Sequence, residues 1–169
     1  MAPITGGNDS IYGYAKAAPV LGIDDVGDRE LHILLVEDDE VDVMKVQRAL
    51  KQNGLEHPLY IAGDGQQALH LLRQQDESGE PVIPQQRRIV FLDLNMPKMG
   101  GIEFLEVLRA DPTLCNIPVV IMTTSDDDQD LVNAYDFNVA GYILKSVPFA
   151  DFVEAMAIVD QYWNVNEMP

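Results

Sequence analysis

Four apolar runs in the sequence each lead directly into a polar residue whose side chain could bind a metal ion or take part in a reaction. "ILLV" is followed by Glu37 and Asp38, and "IVFL" is followed by Asp93. "VVIM" leads to Thr123, and "GYIL" leads to Lys145. An aspartate after a strand is often only a turn former. Burying a charge costs far more than burying a methylene group, so the same placement also indicates a site that uses the charge.

These side chains would meet if the runs are parallel strands, because ligands of such sheets bind at the carboxyl ends of the strands. Crowded carboxylates repel one another unless a cation lies among them, and their oxygens suit Mg²⁺. The sequence therefore predicts a divalent metal site. Asp93 is then a candidate nucleophile toward a phosphoryl group, with Lys145 neutralising the phosphoryl oxygens and Thr123 donating a hydrogen bond to one of them.

The elements that would position this site alternate along the chain. Strand-like runs are "HILLV", "LYIA", "IVFL", "VVIM" and "GYIL", and amphipathic stretches are 39–52, 64–75, 101–110, 127–137 and 148–162. Asp39 fits a helix N-cap, and Asp64 with Gln67 fits a capping box. Continuous apolar strands alternating with helices predict an α/β, doubly wound sheet of five parallel strands, with five helices covering both faces.

Composition limits the function classes. The 169 residues, 47% of them hydrophobic, suit one globular domain with an appendage. We predict a flexible N-terminal arm at 1–30, a domain at 31–163 and a C-terminal tail at 164–169. The net charge of -17 argues against nucleic acid or an anionic membrane as a partner.

The sequence also indicates a cellular compartment. Cys115 is the only cysteine, which excludes an intrachain disulfide and favours a reducing environment. The N-terminus shows no secretion signal, and no apolar run approaches the length of a membrane span. We therefore expect a cytoplasmic protein.

Four motifs together resemble the receiver domain of bacterial two-component response regulators. They are "LLVEDDE", "FLDLNMPKMGG", "IPVVIMTTS" and "GYILK", and the resemblance covers about 31–163. It implies the flavodoxin-like strand order 2-1-3-4-5 and a histidine kinase as partner. "KMGGIEFL" and "YWNVNEMP" look most similar to single-domain regulators paired with bacterial phytochrome kinases. Val41 and Met44, off the core face of their helix, are candidates for docking the kinase.

The resemblance assigns roles in the metal site. By it, Asp93 is the phosphoacceptor, and Glu37 and Asp38 are the acidic pair. Mg²⁺ would be held by these three carboxylates and by the backbone carbonyl of Asn95.

The resemblance also implies a conformational switch, with Thr123 and Tyr142 as the switch pair and Lys145 as the partner of the phosphate. One position departs from the family pattern, which follows its lysine with a proline after a cis bond. Here Ser146 follows the lysine, and Pro148 comes two residues later. A cis bond without proline costs about 2.5 to 4 kcal/mol, which favours a trans bond and a different placement of the lysine.

The helix predicted at 148–162 carries a second apolar stripe besides the one that covers the sheet. It consists of Ala155, Ile158 and Tyr162. An apolar stripe opposite the core usually marks an interface. We therefore expect a homodimer through the face of helices 127–137 and 148–162.

Two other functions remain open. A metal-dependent phosphatase with an aspartyl nucleophile usually needs a second acid two residues after it, and that position is Asn95. A degenerate receiver acting as a scaffold would lack some of the polar groups. The favoured prediction is a binding module that switches on phosphorylation and is not an enzyme.

Overall fold

The computed structural model describes residues 30–124 and 136–166. Its strands are β1 (His32–Val36), β2 (Leu59–Ala62), β3 (Arg88–Leu92), β4 (Val119–Thr123) and β5 (Gly141–Leu144), and its helices are α1 (Glu40–Gln52), α2 (Gly65–Arg73), α3 (Gly101–Ala110) and α4 (Phe149–Val165). The strands form one parallel sheet in the order β2-β1-β3-β4-β5. This confirms the doubly wound, flavodoxin-like fold. The described residues contain four helices. Positions 125–135, which include most of the predicted helix 127–137, lie outside them.

Among the described residues, each face of the sheet packs against two helices. Alternate strand residues explain this, since successive side chains of a strand point to opposite faces. Leu34, Val36, Val90, Leu92 and Ile121 join the core with α2 and α3. Ile33, Leu35, Ile89, Phe91, Val120 and Met122 join the core with α1 and α4. Every residue of β3 and β4 is buried, which is why these strands read as continuous apolar runs.

Two helix starts follow the predicted capping chemistry. The Asp39 carboxylate accepts a hydrogen bond from the Val41 N–H at 2.7 Å. The Asp64 carboxylate accepts one from the Gln67 N–H at 2.9 Å, and the Gln67 side-chain oxygen accepts one from the Gly63 N–H at 3.0 Å. The first cap starts α1 directly after the acidic pair and thereby fixes the phase of that helix.

Element ends differ from the prediction by one to three residues, and β4 for example includes Thr123, one residue beyond the predicted run. β3 begins one residue early, at Arg88, because the buried guanidinium donates to the Thr113 carbonyl at 3.2 Å. α2 ends at Arg73 rather than at 75. α4 continues through Val165, beyond the predicted 162 and into residues assigned to the tail. The division into arm, domain and tail itself stays a prediction, and positions 1–29 and 167–169 lie outside the described residues.

The loop after α3 is held by one carboxylate. Asp111 accepts hydrogen bonds from the Thr113 hydroxyl at 2.7 Å, the Thr113 N–H at 2.9 Å and the Arg73 guanidinium at 2.8 Å. The Thr113 hydroxyl and Arg73 lower the pKa of Asp111 to about 2. The bond to Arg73 ties the end of α2 to the end of α3.

The sheet positions the candidate site by extending its hydrogen bonds past the strand ends. The backbone N–H groups of Glu37, Asp93 and Lys145 each donate to a carbonyl at the end of the neighbouring strand, at 2.9 to 3.0 Å. The three loops that leave β1, β3 and β5 therefore start side by side at one edge. None of the described helices is long and apolar enough to cross a membrane.

Candidate functional site

Three carboxylates converge at the carboxyl edge of the sheet. Glu37, Asp38 and Asp93 each offer one oxygen within 4.8 Å of the others. Glu37 is 2% exposed and Asp93 is 5% exposed, whereas Asp38 faces solvent. Hard oxygen donors at this spacing, with one side open to water, fit a divalent cation that keeps part of its hydration shell.

The protonation of the two buried acids reflects their surroundings. Burial raises the pKa of Glu37, and the charge of Asp93 raises it further, against a hydrogen bond from Lys145 that lowers it. Burial also raises the pKa of Asp93, while the Lys145 ammonium lowers it. Their ionised forms are therefore disfavoured in the fold, and a cation among them would relieve that cost.

The Lys145 ammonium lies inside this cluster. Its Nζ is 2.5 Å from Glu37 Oε2, 2.6 Å from Asp42 Oδ2 and 3.5 Å from Asp93 Oδ2. Burial lowers the pKa of Lys145, but the hydrogen bonds to Asp42 and Glu37 outweigh burial and raise it overall. Lys145 therefore remains a cation at neutral pH and balances part of the acidic charge.

The chain reaches this arrangement through a trans bond after Lys145, since the described residues contain no cis peptide bond. The lysine still enters the pocket, but its ammonium is nearer to Glu37 and Asp42 than to Asp93. Its backbone is fixed separately, because the Lys45 ammonium donates to the Lys145 carbonyl.

Asp42 is the site residue that sequence reasoning missed. It lies in the first turn of α1 and points back toward the pocket, whereas Glu40 of the same turn is exposed. The only indication in the sequence that Asp42 belongs to the site is its spacing, four residues after Asp38. Nothing in the sequence shows that a lysine 103 residues later would reach it.

The loop after β3 shapes the pocket around Asp93. The Asn95 N–H donates to Asp93 Oδ1 at 3.3 Å, and the Asn95 side chain is exposed. Gly101 starts α3 so close to this loop that an added Cβ would lie 2.7 Å from the Asp93 carbonyl oxygen and 2.7 Å from Leu94 Cα. Only glycine allows this close approach.

The two predicted switch residues lie on adjacent strands. Thr123 ends β4, is fully buried and accepts the Lys145 N–H through its carbonyl at 2.9 Å. Tyr142 lies on β5, where it pairs in register with Ile121, and is half-buried. It packs against the core on the α2 and α3 side.

A groove of about 390 Å³ runs between β5 and α4. Tyr142 lines it together with Ala155, Ile158 and Tyr162. Ile158 and Tyr162 are more than half exposed, at 58% and 56%. The structure thus brings the predicted interface stripe and the predicted switch tyrosine to one surface.

Comparisons with known proteins agree with this geometry. The family model described as "Response regulator receiver domain" matches residues 33–157. The response regulator Rcp1 of Synechocystis sp. is 37% identical over 131 residues, which cover 78% of this chain and 87% of Rcp1.

Two solved structures are similar in fold and sequence. The phosphorylated cyanobacterial phytochrome response regulator RcpA has a TM-score of 0.71 and 33% identity, covering 83% of this chain and 99% of that one. The Mn²⁺-bound form of Rcp1 has a TM-score of 0.69 and 35% identity, covering 82% and 99%. Both alignments span nearly all of the solved chain.

Proposed function

Because the chain belongs to the response regulator receiver domain family, we propose that Asp93 accepts a phosphoryl group from a histidine kinase. The chain is a two-component response regulator closely related to Rcp1 and to phytochrome response regulators. The observation that carries the proposal is a buried Asp93 within 4.8 Å of two further carboxylates and 3.5 Å from a buried ammonium.

The acidic cluster is the proposed metal site. Glu37, Asp38 and Asp93, with the backbone carbonyl of Asn95, would hold Mg²⁺, which is commonly bound by one or two carboxylates plus phosphate oxygens. The Mn²⁺-bound form of Rcp1 supports a divalent cation here. When bound, the cation neutralises charge on the phosphoryl oxygens.

The side chains of the pocket divide the work of the transfer. An Asp93 oxygen attacks the phosphorus of a phosphohistidine, so that a P–O bond forms to Asp93 and the P–N bond to the histidine breaks. The Lys145 charge favours the ionised, nucleophilic form of Asp93. The same ammonium and the Thr123 hydroxyl then contact the oxygens of the transferred group.

The signal would leave the site through Thr123 and Tyr142. Phosphorylation adds a charge of about -1.5 to -2 and strong hydrogen-bond acceptors. Thr123, at the end of β4, moves toward the phosphoryl group, and Tyr142 on the adjacent strand moves inward into the space that is vacated. Because Tyr142 also lines the groove beside α4, its movement changes the surface that carries Ile158.

We assign two partners to two different surfaces. The stripe of Ala155, Ile158 and Tyr162 would form a homodimer, together with the helix predicted at 127–137. Val41 and Met44 of α1, which are 67% and 54% exposed, would dock the helices of a histidine kinase. RcpA is a phytochrome response regulator, which supports a bacteriophytochrome as that kinase. A cytoplasmic location follows from such a partner.

The alternatives are less well supported. An aspartyl phosphatase would need an acid at Asn95, whose amide cannot act as a general acid. A degenerate scaffold would need no buried cluster of Glu37, Asp93 and Lys145, which is costly to keep in a core without a use. We therefore propose a switch that releases no small-molecule product by design.

Acetyl phosphate with Mg²⁺ tests the proposal. Intact-protein mass spectrometry should show a gain of one phosphoryl group, with peptide mapping at Asp93. Asp93→Asn should abolish the gain, whereas Asp76→Asn, which changes an exposed aspartate in the loop before β3, should leave it unchanged. Continuous release of phosphate without a stable adduct would favour the phosphatase, and no reaction at all would favour the scaffold.

A further inference from the structure

The contacts of Lys145 point to a role for Asp42 that the proposed function does not include. An ammonium that is to contact a phosphoryl group on Asp93 would be expected to lie nearest to that carboxylate. Instead its Nζ is 2.5 Å from Glu37, 2.6 Å from Asp42 and 3.5 Å from Asp93. The two shortest contacts therefore hold Lys145 on the α1 side of the pocket.

α1 holds both the side-chain ammonium and the backbone carbonyl of Lys145. Asp42 accepts from its ammonium, and Lys45 donates to its carbonyl. Asp42 and Lys45 are three positions apart, so they lie on one face of the helix. The Lys45 ammonium is itself placed over the Phe152 ring of α4, 4.6 Å from the ring centre. The loop after β5 is thus tied to α1 by two separate polar contacts.

The two carboxylates that hold the ammonium differ in their access to water. The Glu37 side chain is 1% exposed, whereas the Asp42 side chain is 24% exposed. If Lys145 leaves Asp42, water can solvate the released carboxylate, and little is lost. If it leaves Glu37, a buried charge loses its partner, which is far more costly. Asp42 is therefore the contact that Lys145 gives up most easily.

We propose that Asp42 is a positioning residue that holds Lys145 away from Asp93 and competes with the phosphoryl group for its ammonium. This inference rests on the proposed function, in which Lys145 contacts the phosphoryl oxygens. Asp42 then sets how strongly the pocket favours the phosphorylated form. Its removal should favour that form, because Lys145 no longer has a competing partner and one negative charge near the anion is gone.

Binding of beryllofluoride, a phosphoryl mimic, in the presence of Mg²⁺ tests this competition. Asp42→Asn should lower the dissociation constant of the mimic by about 5- to 10-fold, the scale of one charge-assisted hydrogen bond in a partly exposed site. Asp42→Glu, which keeps the carboxylate, should stay closer to the wild type. Glu40→Gln removes the same charge from an exposed position in the same helical turn and should change the constant less than twofold.

A double-mutant cycle separates positioning from a general effect of charge or folding. In a Lys145→Met background, Asp42→Asn should raise the affinity for the mimic less than about twofold, because the competed ammonium is absent and only the loss of one negative charge remains. An equal gain in both backgrounds would overturn the inference, as would weaker or unchanged binding by Asp42→Asn alone. If the wild type itself does not bind beryllofluoride with Mg²⁺, the proposed function fails, and the role of Asp42 fails with it.

Discussion

Replacing Asp93 by Asn is expected to stabilise the fold in the absence of divalent cations. The substitution keeps the shape of the side chain and removes its charge. Asp93 is 5% exposed, and burial is the main cause of its raised pKa. A raised pKa of an acid means that its ionised form destabilises the folded state at neutral pH. The variant no longer carries that cost.

The magnitude follows from the charges around Asp93. At an effective dielectric constant of about 20, repulsion from Glu37 across at most 4.8 Å is at least about 3.5 kcal/mol, and attraction to Lys145 at 3.5 Å is about 4.7 kcal/mol. Asp38 is exposed, so at a dielectric constant of about 80 its repulsion across at most 4.8 Å is smaller, at least about 0.9 kcal/mol. These contributions nearly cancel. The burial of the charge therefore decides whether Asp93→Asn stabilises the fold. We expect the free energy of unfolding to rise by about 1 to 2 kcal/mol, and not by more, since a buried amide also costs some free energy.

Urea unfolding at pH 7.5, with EDTA and with increasing Mg²⁺, measures both parts of this reasoning. With EDTA the variant should be more stable than the wild type. Mg²⁺ at 100 times its dissociation constant should stabilise the wild type by about 2.7 kcal/mol and the variant much less, so their order should reverse. A variant that is less stable in EDTA would refute the balance of charges, and equal stabilisation by Mg²⁺ would refute the role of Asp93 as a ligand.

Three further predictions follow from particular contacts. Gly101→Ala should destabilise the protein by about 1 to 3 kcal/mol in thermal unfolding, because its Cβ would meet the Asp93 carbonyl at 2.7 Å. Gly63→Ala is the control, since its Cβ would meet only a flexible side chain at 3.6 Å. Equal effects of the two substitutions would contradict the packing argument. Asp111→Asn should lower the free energy of unfolding above about pH 4, and this effect should be lost as the pH falls toward the Asp111 pKa of about 2. An effect that persists at pH 2 would contradict the view that hydrogen bonds to the ionised carboxylate stabilise the fold. Ile158→Glu should give a monomer in light scattering with beryllofluoride while still accepting a phosphoryl group from acetyl phosphate. An unchanged dimer would place the interface elsewhere.

Periodicity and apolar runs in the sequence were sufficient to predict the strands, because both faces of the sheet are buried. A continuous apolar run such as "IVFL" is typical of a parallel strand that is buried on both faces. The start of β3 was missed because Arg88 is charged, and charged residues are seldom buried unless a partner such as the Thr113 carbonyl is available. The end of α4 was missed because polar residues there are satisfied locally. Asn164 donates to Asp160 at 2.9 Å and Asn166 donates to the Tyr162 carbonyl at 2.6 Å.

For the candidate site, the sequence predicted which residues meet but not how they are paired. Glu37, Asp93 and Lys145 each follow a strand, so parallel topology alone brings them to one edge. The partner of the lysine could not be predicted in this way. Asp42 lies on α1, 103 residues before Lys145, so their contact depends on how α1 packs beside the end of β5. Such details come from tertiary packing rather than from local pattern.

A crystal structure of the protein grown with Mg²⁺ and beryllofluoride tests the central claim most directly. We predict one metal ion bound by oxygens of Glu37, Asp38 and Asp93, with the beryllium attached to the second Asp93 oxygen and the Lys145 ammonium in contact with a fluorine. Carboxylates that point away from one another, with no ion between them and no beryllofluoride on Asp93, would contradict the account.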